Sequence, residues 1–286
     1  MSLELAVILL ASIAVFPTAE IIATPSTFAA QLQTAKPGDT IRLAPGVYDR
    51  VSIRDRHWSP PVTIEAQAAR LTSGRFDEIS GLTWHGGTFE GGDTVQDAMK
   101  FQQADHIAVD GATFHHYVSA GIILGQSTDA MLTNNIFTDS GSDGIDIAMS
   151  QRVIVDRNRC TDSHPTLAAH PDCIQLWSKP NWPATADIVV RNTVALGNMQ
   201  GFTAFDGPYD RITVEHNFAK FTFWHGIAIF DCNNCQIRHN RVDSLPNPKF
   251  PNARAWILVK GGSANIACDN RAKAYPDNPG TKRCRS

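Results

Sequence analysis

Short segments with the same hydrophobic pattern recur through the middle of the chain. In each segment the second residue is small, the third and fifth are apolar, and the fourth varies. The seven segments begin at Asp97, Ala120, Asp143, Asp172, Gln200, His225 and Arg254. Apolar residues at alternate positions are typical of a β-strand with one buried face. The pattern therefore predicts seven equivalent strands whose starts lie 23 to 29 residues apart.

A second series of apolar stretches lies between these segments, for example at residues 107–109 and 153–155. An asparagine follows the last apolar residue of several of these stretches by three positions, at Asn135, Asn158, Asn217, Asn240 and Asn270. Asparagines at one place in successive turns can stack, with each amide bonding to the next, as in cross-β ladders. We therefore expect these side chains to be structural rather than ligand-binding.

Two strands in each repeat, without a helical element between them, predict an all-β fold. We expect a single-stranded parallel β-helix, a solenoid of about 7–8 coils. A propeller would need four strands in each blade of about 40 residues, which the spacings do not allow. A short amphipathic helix capped by Ser26 should cover the open N-terminal end. This predicts a cap helix and first strand over residues 20–50, the β-helix over 51–272, and a tail over 273–286.

The N-terminus and the cysteines both favour export. The apolar run from Leu5 to Phe16 is too short to span a bilayer but suits a secretory signal peptide, which we expect over residues 1–19. A buried N-terminal helix is the alternative. The six cysteines form an even set: Cys160, Cys173, Cys232, Cys235, Cys268 and Cys284. We expect structural disulfides or buried thiols in a secreted or periplasmic protein, since no second Cys-x-x-Cys pair accompanies Cys232 and Cys235 at zinc-site spacing.

The positions of the few charged residues become informative once the chain is arranged in coils. Only 19% of residues are charged and the net charge is -3, which excludes a mainly disordered chain and a basic protein that coats a polyanion. Equivalent positions in stacked coils form columns with a spacing of about 4.8 Å. The fourth column contains Lys100, Ile123, Asp146, Gln175, Thr203, Ala228 and Ile257. The seventh column contains Gln103, Gln126, Met149, Ser178, Asp206, Asp231 and Lys260. With the first column, they place much of the charge on one face.

Loop extensions and aromatic side chains mark the same face as a cleft. Residues 162–170 precede one repeat segment, and residues 177–183 follow it. Long loops at one edge of a regular solenoid commonly build its binding site. The rings of Trp177 and Trp182 could stack on the apolar faces of sugars. A positive track is absent, so we expect no nucleic-acid partner. The aromatic rings and a long open groove favour an acidic polysaccharide, and we expect the protein to be a monomer.

The first residues after the signal resemble a known superfamily. The pattern Phe28-x-x-x-Leu-x-x-Ala-x-x-Gly-Asp-x-Ile-x-Leu-x-x-Gly-x-Tyr resembles the start of pectate-lyase-like β-helix proteins, notably the chondroitinase B and alginate lyase family. With the repeats, the resemblance covers about residues 25–272. It implies a right-handed parallel β-helix and a secreted lyase that cleaves an acidic, uronate-containing polysaccharide by β-elimination.

β-Elimination requires a cation or metal to neutralise the uronate carboxylate and a base to remove the C5 proton. The candidate catalytic residues are Asp143, Asp172, His170, His225, Lys100 and Arg254, with Lys100 and Arg254 holding the carboxylate. The candidate Ca²⁺ ligands are Asp143, Asp146 and Asp172. The candidate substrate-binding residues are Asp146, Gln175, Trp177, Gln200, Asp206, Tyr209, Asp231 and Lys260.

Three alternatives stay open. Gly141-Ser-Asp143-Gly-Ile-Asp and Pro171-Asp172-Cys-Ile resemble the Asn-Thr-Asp and Asp-Asp-Cys motifs of polygalacturonases, which are hydrolases. However, Met199-Gln200-Gly201 occupies the place of their Gly-His-Gly, and Pro171 replaces one aspartate. His170-Pro171-Asp172 is similar to the Asp-Pro-His-Asp signature of mannuronan C5-epimerases. A non-catalytic glycan-binding β-helix is the third alternative.

Overall fold

The computed structural model describes residues 20–165, 170–249, 251–252, 254–272 and 281–282. The expected signal peptide, residues 1–19, lies outside the described residues, as does most of the expected C-terminal tail. None of the helices in the described part of the chain is long and apolar enough to cross a membrane.

The elements of the N-terminal half are β1 (Glu20–Ala23), α1 (Phe28–Thr34), β2 (Thr40–Leu43), β3 (Gly46–Tyr48), β4 (Val51–Glu65), β5 (Ala69–Leu71), β6 (Gly74–His85), β7 (Thr88–Glu90), β8 (Asp97–Gln102), β9 (Asp105–Asp110), β10 (Thr113–His115), β11 (Ala120–Gly125), β12 (Thr128–Thr133), β13 (Ile136–Thr138) and β14 (Asp143–Ala148). They continue with β15 (Gln151–Asp156), β16 (Arg159–Thr161), β17 (Asp172–Trp177), β18 (Thr185–Arg191), β19 (Val194–Gly197), β20 (Gln200–Asp206), β21 (Tyr209–Glu215), β22 (Phe218–Phe221), β23 (His225–Phe230), β24 (Cys232–Asn233), β25 (Gln236–Arg238), β26 (Arg241–Ser244), β27 (Trp256–Lys260), β28 (Asn265–Cys268), β29 (Arg271–Ala272) and β30 (Thr281–Lys282).

The strands pair in parallel and wind into a solenoid with three faces. The first face contains β8, β11, β14, β17, β20, β23 and β27. The second face contains β9, β12, β15, β18, β21, β25 and β28, and the long strands β4 and β6 join it to the first. The third face is a separate sheet of ten short strands, from β3 to β29.

The parallel β-helix predicted from the repeats is confirmed, but it is longer than expected. The described residues form about ten turns rather than 7–8. Each regular turn also contributes a third strand, which the alternation of apolar residues did not reveal. Most of these strands are three or four residues long and bury a single inward side chain, as in β10 and β13, so they show no measurable period.

Small second residues allow the strands of the first face to approach the core closely. A Cβ atom at Gly144 would lie 2.6 Å from the carbonyl oxygen of Cys173 and 3.0 Å from the sulfur of Cys160. Larger side chains at this position would therefore displace the next turn. Inside the solenoid, the rings of Phe89, Phe114 and Phe137 stack at centroid distances of 5.0 and 4.9 Å.

The asparagine ladder is confirmed at the corner between the second and third faces. The Asn158 side-chain oxygen accepts a hydrogen bond from the backbone N–H of Asn135 at 2.9 Å. Asn240 accepts one from the backbone N–H of Asn217 at 3.1 Å and donates another to the carbonyl of Val214. These amides are buried and their bonds replace those that the turning backbone cannot make.

Helix α1 covers the N-terminal end as expected. Phe28 and Leu32 are buried, and the Phe28 ring contacts the buried Trp84 ring at a centroid distance of 6.2 Å. The predicted cap is wrong: Thr27, not Ser26, precedes the helix, and it makes no side-chain capping bond to it. Packing on the end of the core therefore stabilises this short helix more than its cap does.

Candidate active site

The strand register brings four predicted site residues together on the first face. Asp146 on β14 pairs with Gln175 on β17, and Gln175 pairs with Thr203 on β20. Asp172, at the start of β17, pairs with Gln200. Adjacent strands in a sheet lie about 4.8 Å apart, so these side chains form one polar surface across three turns.

Asp143 is a buried acid at the start of β14. Its Oδ1 accepts a hydrogen bond from the backbone N–H of Asp172 at 2.7 Å. Burial, followed by the charge of Asp172, raises the pKa of Asp143 to about 7. Asp143 can therefore both release and accept a proton near neutral pH.

Asp146 lies three residues after Asp143 on the same strand. Burial raises the pKa of Asp146 well above its ordinary value, and the neighbouring Asp143 carboxylate raises it further. A protonated Asp146 donates a hydrogen bond to Asp143. Two neighbouring carboxyl groups whose pKa values are both raised, each acting on the other, are an arrangement that can separate acid and base roles.

Asp172 has a fully buried side chain, with His170 beside it. The His170 Nδ1 atom lies 3.8 Å from Asp172 Oδ2, a distance typical of an ion pair rather than a hydrogen bond. Burial raises the pKa of Asp172, and the interaction with Asp172 raises the pKa of His170 to about 9. His170 is therefore a cation at neutral pH, and its side chain is 62% exposed above the acidic cluster.

Several polar atoms of this cluster are buried without a hydrogen-bond partner among the described residues. They are Asp146 Oδ1, both carboxylate oxygens of Asp172, and Thr203 Oγ1. Buried polar atoms are almost always paired in folded proteins, so orphans concentrated in one place indicate a site prepared for a ligand. Thr203 was not among the predicted site residues, although its place in the fourth column put it beside them.

His225 lies one turn further along, with both ring nitrogens engaged. Its Nε2 accepts a hydrogen bond from Trp224 Nε1 at 2.9 Å, and its Nδ1–H donates to Gln200 Oε1. Burial, followed by the positive charge of His170, lowers the pKa of His225 to about 4. This imidazole is therefore neutral and fixed in one tautomer, which suits it to position Gln200 rather than to act as the base.

A disulfide holds the segment that carries His170. Cys160 and Cys173 are joined, with an S–S distance of 2.03 Å and a Cα–Cα distance of 5.6 Å. Both are buried in the solenoid, so the two ends of this segment are fixed to the core. Cys232 is bonded to Cys235, and Cys268 is also disulfide-bonded, as expected for structural disulfides.

The cationic candidates lie away from the acids. Lys100 is separated from Asp146 by the strand of Ile123, so it lies two turns away. The predicted alignment of the last repeat is wrong by one residue, because Ile227 pairs with Ile257 instead of Trp256. Arg254 thus lies before β27, exposed, with its Nη1 donating to the carbonyl of Pro251 at 3.1 Å.

The other substrate-binding candidates divide into exposed and buried groups. Trp177 is 39% exposed, and Asp206 and Asp231 are exposed. Lys260 is exposed, and its Nζ lies 5.7 Å from the ring centroid of Phe230. Tyr209 is wrong as a substrate ligand: it is fully buried, and its hydroxyl donates to the carbonyl of Leu176 at 2.8 Å.

The acids do not fit a Ca²⁺ site. Among residues 20–165, 170–249 and the described residues beyond, no group of three or more His, Cys, Asp or Glu side chains is arranged to hold a metal ion. We therefore assign no metal to Asp143, Asp146 and Asp172.

The sequence profile of a family described as right handed beta helix region matches residues 99–271. No curated protein matches the chain. The fold is similar to that of an alginate lyase from Paenibacillus sp. str. FPU-7, with a TM-score of 0.51, 16% identity, and coverage of 92% of this chain and 98% of the other.

Two further solved structures are similar to the chain. Pectate lyase Pel9A has a TM-score of 0.55 and 14% identity, and the alignment covers 93% of this chain and 74% of the other. DFA-IIIase from Arthrobacter chlorophenolicus A6 has a TM-score of 0.57 and 12% identity, with 91% and 89% covered. The predicted resemblance to the pectate-lyase-like right-handed β-helix superfamily is confirmed at the level of fold.

Proposed function

We propose that this chain, which belongs to the family of right-handed β-helix regions, is an enzyme that cleaves a polysaccharide at the acidic cluster of its first face. The observation that carries the proposal is the set of buried oxygens on Asp146, Asp172 and Thr203 that have no hydrogen-bond partner among the described residues. They adjoin Asp143, whose pKa of about 7 suits proton transfer at neutral pH. Perturbed carboxyl groups of this kind are most common at catalytic sites.

The proposed reaction is β-elimination on a uronate-containing chain. A base removes the C5 proton, the C4–O bond breaks, a C4=C5 double bond forms, and the leaving oxygen takes up a proton. Asp143 in its ionised form accepts the C5 proton, and neutral Asp146 is the donor to the leaving oxygen. The cationic His170 pairs with the uronate carboxylate and stabilises the charge that develops beside it.

Hydrolysis is the second candidate, and the protonation states of the same acids favour it. A hydrolase needs one carboxylic acid to protonate the leaving oxygen and one carboxylate to act as base or nucleophile. Neutral Asp146 and the ionised form of Asp143 or Asp172 provide such a set. The two reactions share an acid and a base, but only β-elimination also requires a group that neutralises the uronate carboxylate.

A polysaccharide is supported as substrate by the surroundings of the cluster. Trp177 and Trp182 are 39% and 46% exposed on the strand end and loop beside it, and such rings stack on sugars. The alginate lyase and the pectate lyase with similar folds are named for polysaccharide substrates. The disulfides support export to an oxidising compartment, where we propose that the protein acts as a secreted or periplasmic monomer.

The test is to incubate the protein with alginate, polygalacturonate, hyaluronan and a neutral glucan. Ultraviolet absorbance of the C4=C5 product and newly formed reducing ends are followed together. Both signals rise for a lyase, and only reducing ends rise for a hydrolase. Asp172→Asn should abolish either activity, while Asp269→Asn, an exposed control, should keep it. Proton exchange at C5 alone would identify an epimerase. Binding of a polysaccharide without any reaction would refute the proposal that the protein is an enzyme.

A further inference from the structure

A second polar cavity lies on the N-terminal turns of the solenoid, apart from the acidic cluster. Its volume is about 350 Å³. Three basic side chains line it, from Arg50 before β4, Arg75 on β6 and Lys100 on β8. Arg75 and Lys100 are register partners on neighbouring strands. Asp97 is the single acidic residue in the lining.

The positive charge of this cavity is only partly compensated. Arg75 bonds to Asp77 at 2.8 Å through its Nε atom. Within the described residues, neither Arg50 nor Lys100 forms an ion pair. Two of the three cations are therefore available to a ligand, in a protein whose net charge is -3. Such a concentration of one sign in a concave site attracts the opposite charge.

Neutral polar groups surround the cations. Ser73 and Thr94 also line the cavity, so hydroxyl groups stand beside the guanidinium and ammonium groups. Charge-assisted hydrogen bonds from Arg and Lys are the strong contacts to carboxylate or sulfate oxygens, and hydroxyls match those of a sugar ring. The lining thus suits an acidic sugar better than a free inorganic ion or an apolar ligand.

The cavity and the acidic cluster lie along one line on the first face. Lys100, Ile123 and Asp146 are register partners on three adjacent strands. Two strand spacings separate Lys100 from Asp146, or roughly 10 Å. A polysaccharide that lies along the solenoid axis can therefore occupy both places at once.

We propose that the cavity of Arg50, Arg75 and Lys100 is a binding subsite for an anionic group of the substrate chain, a carboxylate or a sulfate ester. The proposal rests on the proposed function, since it makes this cavity part of the groove that serves the acidic cluster. It assigns the substrate class to acidic polysaccharides and places a second anionic sugar toward the N-terminal turns, beside the uronate at the acidic cluster.

The test measures binding by titration calorimetry in an Asp172→Asn background, so that cleavage does not consume the ligand. The probes are an oligouronate, a sulfated oligosaccharide without uronate, and a neutral oligosaccharide of equal length. The double variant Arg50→Gln, Lys100→Gln should weaken binding of the anionic probe by at least about tenfold. This is the effect expected from the loss of one charge-assisted hydrogen bond. The control, Arg211→Gln with Lys220→Gln, removes the same charge from the second and third faces.

The preferred anionic probe identifies the group: tighter oligouronate binding indicates carboxylate, and tighter binding of the sulfated probe indicates sulfate ester. Equal affinities of the double variant and the control, or tightest binding of the neutral probe, would overturn the subsite. Cleavage of the polysaccharides by the unmodified protein is measured separately. Loss of anion binding in the double variant without any cleavage by the wild type would leave the subsite standing and refute the proposed function.

Discussion

Replacing Asp143 by Asn should stabilise the protein at high pH while abolishing its activity. The pKa of Asp143 is about 7 in the folded protein against 3.8 for an ordinary aspartate. Between about pH 4 and pH 7 the folded state therefore holds a proton that the unfolded state has released. In that window the free energy of unfolding falls by up to about 1.4 kcal/mol for each unit of rising pH.

The full window spans about three pH units, which sets an upper limit of about 4 kcal/mol. Part of this cost is shared with the acidic neighbours, because Asp172 and Asp146 act on the same carboxyl. We therefore expect Asp143→Asn to raise the free energy of unfolding by about 2–4 kcal/mol at pH 8 and by almost nothing at pH 4. The Asn side-chain oxygen can still accept the bond from the Asp172 N–H, so the packing is preserved.

Urea denaturation of the wild type and the variant at several pH values measures this difference. The difference in free energy of unfolding between variant and wild type should increase from pH 4 to about pH 7 and then level off. Asp269→Asn serves as the control for removing a surface carboxylate. A gain of the same size at pH 4 and pH 8, or destabilisation of Asp143→Asn at pH 8, would show that Asp143 is not held in its neutral form by burial.

Three further predictions concern the scaffold and the chemistry. Replacing Cys160 and Cys173 together by Ser should lower the free energy of unfolding by about 3 kcal/mol, from the entropy of the loop that the disulfide closes. It should also lower kcat by loosening His170, and a variant as active and stable as the wild type would contradict this. Asn240→Ala should cost about 2–4 kcal/mol in urea denaturation, since it leaves buried backbone groups unpaired; an equal effect of the exposed control Asn252→Ala would refute the ladder. EDTA should leave the cleavage rate unchanged, and restoration of a lost rate by Ca²⁺ would contradict the assignment of no metal.

The fold could be predicted from the sequence because the first face is regular. A small second residue and apolar third and fifth residues recur wherever one strand stacks on the next. The prediction for the last repeat was wrong although Arg254-Ala-Trp-Ile-Leu fits the pattern. The pairing of β23 with β27 shifts by one residue between His225 and Ile227, so Ile227 pairs with Ile257, and the sequence pattern does not show this shift.

The candidate site was predicted in position but not in chemistry. The register of the repeats alone placed Asp146 beside Gln175. Burial could not be inferred from the sequence, since Asp172 and Asp206 occupy outward columns yet only Asp206 is exposed. The pKa of Asp143 depends on that burial. The prediction that Tyr209 binds substrate was wrong for the same reason, because an aromatic ring with a hydroxyl is suited to a binding groove as well as to a core.

The basic cavity was predicted only in part, because Lys100 belongs to the first aligned repeat whereas Arg50 and Arg75 precede the aligned repeats. Arg50 and Arg75 belong to turns in which the long strands β4 and β6 run across two faces without an interruption. In these turns the repeat has no clear start, so their outward residues could not be assigned to the columns. The three-residue strands of the third face likewise carry too few residues to show a period.

The most direct test of the account is a crystal structure of Asp172→Asn with a bound oligosaccharide of the polysaccharide that the wild type cleaves. A sugar chain should lie along the first face, with one ring in hydrogen-bonding contact with Asp143 and Asp146 and with His170 above it. A chain bound on the second or third face, with the acidic cluster untouched, would contradict it.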